Sequence, residues 1–206
     1  MPDDRQRLLD EHESHYGGLD ILRWGEPRVT IAPQTKGDDL AYSLAGMWQA
    51  SAIIRTLDMR PSELARLTLF DVGCGTGKVT RAMAPFTKSA DGWDPHPKCV
   101  EVARAETARC PFVTVYPVMF HEVLPTGTYG LIICTDVVPS LDRVKLDRIC
   151  DQFGCLARKG TKLVVNVQRF REPLISRTLK LVGFRPNHRE SGEAVTTQDW
   201  YSWEKP

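Results

Sequence analysis

The chain has 206 residues, of which 27 are lysine or arginine and 26 aspartate or glutamate, for a formal net charge of +1. That length suits one domain able to bury about 70% of the surface its unfolded form exposes, and the charge balance excludes global steering toward nucleic acid or an anionic membrane. The six cysteines include no Cys-x-x-Cys pair, so no zinc site, disulfide scaffold or other metal centre is expected. The amino terminus is polar, without the apolar core of a signal peptide, and no run approaches a membrane span; a soluble, cytoplasmic protein is expected.

In chain order, residues 1–37 read as an amino-terminal tail or flap. Met1 to Tyr16 is charged, Gly17 and Gly18 break it, and Leu19 to Gly37 carries Pro27 and Pro33. A core beginning at residue 38 opens with the strongest helical pattern in the chain, Asp38 to Met59. Leu40, Leu44, Met47, Trp48, Ile54 and Leu57 recur there at three- and four-residue steps, and Arg60-Pro61 closes the pattern. That stripe is expected to pack on a sheet, leaving Tyr42 and Gln49 at its border, either exposed or facing a pocket mouth.

Leu67 to Val72 then has the length and content of a strand buried on both faces, and it stops at Gly73. Gly73, Gly75 and Gly77 remove every other side chain from the next turn, which permits a sharp bend and close approach of a ligand. A helix follows over Lys78 to Phe86, and a second strand ends at Asp94. A phosphate-cradling loop needs a glycine where Val72 stands and a hydroxyl residue where Val79 stands, and a dinucleotide fingerprint needs a glycine at Lys78. The pattern that fits is acid-x-Gly-x-Gly-x-Gly with a second acid closing the next strand: Asp71, Gly73, Gly75, Gly77 and Asp94.

This arrangement resembles motif I and the following acidic motif of the class I S-adenosylmethionine-dependent methyltransferases. The resemblance implies an α/β fold: a doubly wound, mostly parallel seven-stranded sheet with helices on both faces and an antiparallel last strand. It also implies S-adenosylmethionine as cofactor. A carboxylate at the end of the second strand can accept hydrogen bonds from both ribose hydroxyls, a role that falls to Asp94 with Pro95 beside it. Asp71 would help hold the amino end of the methionine part, with Gly73, Cys74, Gly75 and Gly77 lying against the ligand. In such enzymes the leading segment often closes the pocket and touches substrate. Tyr16, Trp24 and Tyr42 are the substrate candidates, with His12 and His15 nearby; the same aromatic residues would equally anchor a loop to the core.

Pro97 to Thr107 reads as a helix, Phe112 to Val118 as the third strand and Tyr129 to Asp136 as the fourth. The resemblance places Met119 and Phe120 around adenine as an apolar wall, where an acid is the common residue. The fourth strand should border the transferred methyl group, with Thr135 on the cofactor. Asp136 is the candidate for orienting or deprotonating the acceptor, or else a helix cap. His121 is a candidate general base or a surface loop residue, and Cys134 reads as core. Leu141 to Ala157 and Glu172 to Val182 read as helices, Lys162 to Val167 as the fifth strand and Ala194 to Glu204 as the closing one.

The expected activity is methyl transfer to an oxygen or nitrogen of a small molecule. The basic stretch from Arg158 to Arg189 keeps open RNA, DNA or protein as acceptor, or else is merely solvated. A non-catalytic protein that binds adenosylmethionine is the remaining reading. The sequence names neither the acceptor nor the oligomeric state.

Overall fold

A computed structural model describes residues 39–117, 129–138, 141, 143–168, 172–190 and 198–206. In chain order the helices are α1 (Asp39–Leu57), α2 (Pro61–Leu64), α3 (Lys78–Met83, continued by a 3-10 turn over Ala84–Phe86), α4 (Pro97–Thr107), α5 (Arg143–Leu156) and α6 (Glu172–Leu181). The strands are β1 (Thr68–Val72), β2 (Ser89–Asp94), β3 (Val113–Pro117), β4 (Tyr129–Cys134), β5 (Ala157–Gln168), β6 (Arg185–Glu190) and β7 (Gln198–Glu204). They form one seven-stranded sheet in the order β3-β2-β1-β4-β5-β7-β6. The first five run parallel, and β7 lies antiparallel between β5 and β6.

Period-2 alternation in the central strands supplies two cores. Leu69, Leu131, Ile133 and Val164 point to one face, where Ile53 and Leu57 of α1 and Val79 and Met83 of α3 cover them. Phe70, Ile132, Leu163 and Val165 point to the other, under Ile149 and Phe153 of α5 and Ile175 and Leu179 of α6. Each such buried side chain contributes about 1.5–3 kcal/mol. A strand covered on both faces carries no polar alternation, which is why TLFDV and YGLIIC read as nearly continuous apolar runs.

The doubly wound order puts a topological switch between β1 and β4. Crossovers from β1 proceed toward β3 and those from β4 toward β5, so the loops leaving β1 and β4 diverge and open a crevice at the carboxyl edge. Gly73 leaves β1 and Val137 follows β4, so the two loops meet there. A Cβ on Gly73 would come within 2.3 Å of Val137 Cγ2.

Two sequence expectations are corrected here. The amino-terminal half of the stripe assigned to the core on α1 is turned outward, with Leu44 54%, Met47 63% and Trp48 38% exposed, whereas Ile54 and Leu57 pack on the core as expected. The buried seam is Tyr42, Gly46, Gln49, Ile53 and Leu57, because Gly46 allows α1 to approach α3 until a Cβ would be 2.8 Å from the Lys78 carbonyl oxygen. Small residues, Gly46, Ala50 and Ala52, share the packed side with Tyr42, Ile53 and Leu57. The helix also ends at Leu57 with Asp58 in the left-handed region (φ 49°), and Pro61 begins α2 instead of closing α1. Elsewhere the edges shift: β4 stops at Cys134, two residues before Asp136, and exposed Phe112 (φ 60°) precedes β3 rather than opening it. The expected flap over 1–37, with His12, His15, Tyr16 and Trp24, lies outside the described residues, as do Met119, Phe120 and His121.

Candidate functional site

The bend after β1 is fixed by φ values of 71° at Gly73, 55° at Gly75 and 79° at Gly77, a region that favours glycine. The Gly73 and Cys74 amides both donate to the Trp93 carbonyl at 2.9 Å, tying the bend to the end of β2. One residue on, Asp94 is held from two sides. Its Oδ2 accepts from the Gly75 amide and its Oδ1 from the His96 amide, each at 2.9 Å. A carboxylate offers about four lone-pair sites, so two remain, the number a vicinal diol would use. Burial raises the Asp94 pKa from 3.8 to about 6, against the pull of the two amides.

Asp71 has a different place from the one expected. It is fully buried on the α3 side of β1, where Thr80 Oγ1 donates to its Oδ2 at 2.6 Å, and its Oδ1 has no hydrogen-bond partner. Burial lifts its pKa to about 7, opposed by Thr80 and reinforced by the nearby Asp94 charge. Asp71 has no exposed surface. Cys74 and Gly77 are likewise turned inward. Cys74 packs against Gly92, where an added Cβ would lie 3.1 Å from its sulfur, and burial pushes its thiol well above its ordinary pKa. Gly77 makes room for Ala103 of α4, whose Cβ would be 3.0 Å from an added methyl. Pro95 is buried beside Asp94.

Tyr42 is neither exposed nor at a pocket mouth. Its hydroxyl donates to the Thr76 carbonyl at 2.9 Å and shares a 2.8 Å hydrogen bond with Thr76 Oγ1. The burial that this requires raises its pKa to about 12. Arg81 of α3 lies over the Tyr42 ring, donates to Ser43 Oγ at 2.7 Å and pairs with Glu106 of α4. Tyr42 is therefore a strut between α1 and the glycine bend, so the substrate role expected for it is not the one its position serves.

At the other end of the crevice, buried Thr135 and core Cys134 lead to Asp136, an exposed residue with φ 60°. Its Oδ2 accepts from Gln49 Nε2 at 2.8 Å and its Oδ1 from Asn166 Nδ2 at 2.6 Å, while its amide donates to Asn166 Oδ1 at 2.7 Å. Both carboxylate oxygens of Asp136 are thus engaged by side chains, and α5 begins at Arg143. Lys78 is buried nearby, its stem against Gly46. Burial lowers the pKa of its amine and the Asp136 charge opposes that shift. Sequence reading passed over Asn166 and Lys78 and left Gln49 among border residues. The available signals were a lone asparagine inside the apolar run LVVNV and the seven-residue step from Tyr42 to Gln49.

The basic stretch gives Arg158 and Lys159 at the amino end of β5, away from this crevice, and Arg177 and Lys180 exposed on α6. Lys162 is paired with Glu204. Among the described residues no group of three or more His, Cys, Asp or Glu could hold a metal ion, and no helix is long and apolar enough to cross a membrane.

A glycine bend after β1, an acid closing β2 and this strand order define a doubly wound domain of the class I methyltransferase type. The chain belongs to the methyltransferase domain family, whose model matches residues 48–204. A ubiquinone biosynthesis O-methyltransferase from Methylobacterium sp. (strain 4-46) is 36% identical over 81 residues, 38% of this chain and 32% of that one. The chain thus spans about a third of the length of this curated relative. Magnesium protoporphyrin IX methyltransferase from Synechocystis PCC 6803, solved with bound SAM, superposes with a TM-score of 0.73 at 17% identity, covering 100% of this chain and 99% of that one. N-methyltransferase NodS from Bradyrhizobium japonicum WM9, in complex with S-adenosyl-l-homocysteine, gives 0.69 at 17% identity over 88% and 96%.

Proposed function

We propose that this chain is an S-adenosylmethionine-dependent methyltransferase acting on an oxygen or nitrogen nucleophile of a small molecule, within a single methyltransferase domain. The observation that carries the reading is the Asp94 carboxylate, steadied by the Gly75 and His96 amides with two acceptor sites left, beside a bend that has no side chains at Gly73 and Gly75. These residues fit an adenosyl amino acid: a diol for Asp94, backbone for the ligand to lie on, and the buried Asp71 and Asp94 carboxyls favouring a cation in the crevice.

When bound, adenosylmethionine supplies a methyl group on a sulfonium that is already an activated leaving group. The protein's task is then to place the nucleophile in line with that carbon and sulfur, and positioning of this kind can contribute about 7–11 kcal/mol. Asp136 is held by Gln49 and Asn166 at the β4 end of the crevice, where it can orient the nucleophile by accepting its N–H or O–H. Its proton passes to Asp136 or to water as the new bond forms. The ubiquinone-pathway relative supports a small-molecule acceptor, and Arg158 and Lys159 of the basic stretch lie at the amino end of β5, away from the crevice. The test is to incubate the protein with methyl-labelled adenosylmethionine and cell extract. Label is expected in small metabolites; label confined to nucleic acid or protein would overturn the acceptor assignment.

A further inference from the structure

The polar cluster beyond β4 has two features that support of Asp136 does not explain. Gln49 is 6% exposed; one end of its carboxamide holds Asp136, and its Oε1 has no hydrogen-bond partner. A buried acceptor left without a donor is costly. Lys78 is 5% exposed. The ion pairs among the described residues join Arg60 to Glu63, Arg81 to Glu106 and Lys162 to Glu204, and Lys78 belongs to none of them. Its stem packs on Gly46, and its ammonium, paired with no carboxylate among the described residues, is left for a ligand to use. Around Asp136 the protein therefore maintains an unused cation and an unused acceptor within the same few side chains.

Position along the sheet assigns these groups to a ligand. Asp94 ends β2, whereas Asp136 follows β4 and Asn166 lies on β5, two and three strands away in the order β2-β1-β4-β5. At about 4.8 Å per strand, the cluster is about 10–14 Å from the sugar end of the crevice. That places it on the side where the methyl acceptor has to approach.

We propose that Lys78, Gln49 and Asp136 form the acceptor pocket and that the acceptor is a small carboxylic acid. Its carboxylate pairs with Lys78, its nucleophilic N–H or O–H donates to Asp136, and a second donor on it satisfies Gln49 Oε1. Asn166 is a positioning residue that fixes Asp136 from the opposite side. A carboxylate is favoured over a phosphate because Lys78 is a single cation already facing the Asp136 charge, and a carboxylate adds one further negative charge where a phosphate adds close to two. The inference rests on the methyltransferase reading given above.

The experiment uses the full chain, methyl-labelled adenosylmethionine and a metabolite extract fractionated on an anion exchanger at pH 7. Label is expected in the retained fraction and is expected to stay retained after phosphatase treatment. Lys78→Met should lower that incorporation by about tenfold or more, change adenosylhomocysteine affinity less than about twofold, and leave Tm unchanged or raised, since a methionine removes an unpaired buried charge. A merely structural lysine would instead lower Tm. If Lys78→Met folds poorly, Lys78→Gln removes the charge while keeping a donor. Label only in the unretained fraction, release of label by phosphatase, or full incorporation by both variants would overturn the proposal. So would a loss of adenosylhomocysteine affinity as large as the loss of incorporation, which would give Lys78 to the cofactor's carboxylate. Label in no fraction, with adenosylhomocysteine still bound, would remove the methyltransferase reading itself.

Discussion

The two ends of the crevice are built from different materials. At the β1–β2 end the contacts come from the backbone: the amides of Gly73, Cys74, Gly75 and His96 grip the Trp93 carbonyl and Asp94. At the β4–β5 end they come from side chains of α1 and β5, namely Gln49 and Asn166, which hold Asp136, with Lys78 of α3 packed nearby. A backbone grip depends on bend geometry and tolerates change at most positions. A side-chain grip can be rewritten one residue at a time. On the function proposed above, recognition of the nucleoside falls to the first end and the choice of acceptor to the second.

The sharpest break to that contrast is Gly73→Ala. The new methyl would meet Val137 Cγ2, and alanine would be held at φ 71°; a loss of about 3 kcal/mol is expected from urea unfolding. Adding Val137→Ala should recover the steric part and leave the backbone part. Next is Asp94→Ala, which removes the acceptor for both sugar hydroxyls and should weaken adenosylhomocysteine binding about 100-fold by calorimetry. Unchanged affinity would contradict the assignment of the sugar end.

A change of pH acts on the same end. Burial raises the folded pKa of Asp71 to about 7 and of Asp94 to about 6, so between about pH 4 and pH 7 the native state binds more protons than the unfolded chain. These two groups therefore make the cofactor-free protein less stable as pH rises through that window. A bound cation favours the ionised carboxyls, so affinity for adenosylmethionine should rise with pH over the same interval, by at most about tenfold per unit for each proton released. Affinity that is flat from pH 5 to 7.5 would show that neither carboxyl senses the ligand. Smallest is Tyr42→Phe, which deletes the hydrogen bonds to Thr76 and should lower stability by about 1 kcal/mol with a matching loss of cofactor affinity.

The same division explains what the sequence discloses. The sugar end is written in consecutive residues, because three alternate glycines and two strand-terminal acids are local features of Asp71 to Asp94. The alternation of apolar runs likewise makes the order of strands and helices readable. The other end is assembled from Gln49, Lys78, Asp136 and Asn166, which only the pairing of β4 with β5 and the packing of α1 over α3 bring together. The rotation of α1 was hidden because counting bulk favoured Leu44, Met47 and Trp48, while its contact depends on the smallness of Gly46 and Ala50. Asn166 sits within an apolar strand and leaves no periodic trace. Asp136 takes its left-handed backbone in a sequence that carries no glycine to announce it.

The outward turn of Trp48 has a practical use. Trp93, Trp200 and Trp203 are sealed in the core, whereas Trp48 is partly solvated and adjoins Gln49 on the same helix. Its indole emission should shift when a compound displaces water from the neighbouring cluster, and Trp48→Phe should reduce that shift to whatever Trp24, the fifth tryptophan, contributes. Candidate acceptors can thus be screened by intrinsic fluorescence, without a dye or a coupled assay.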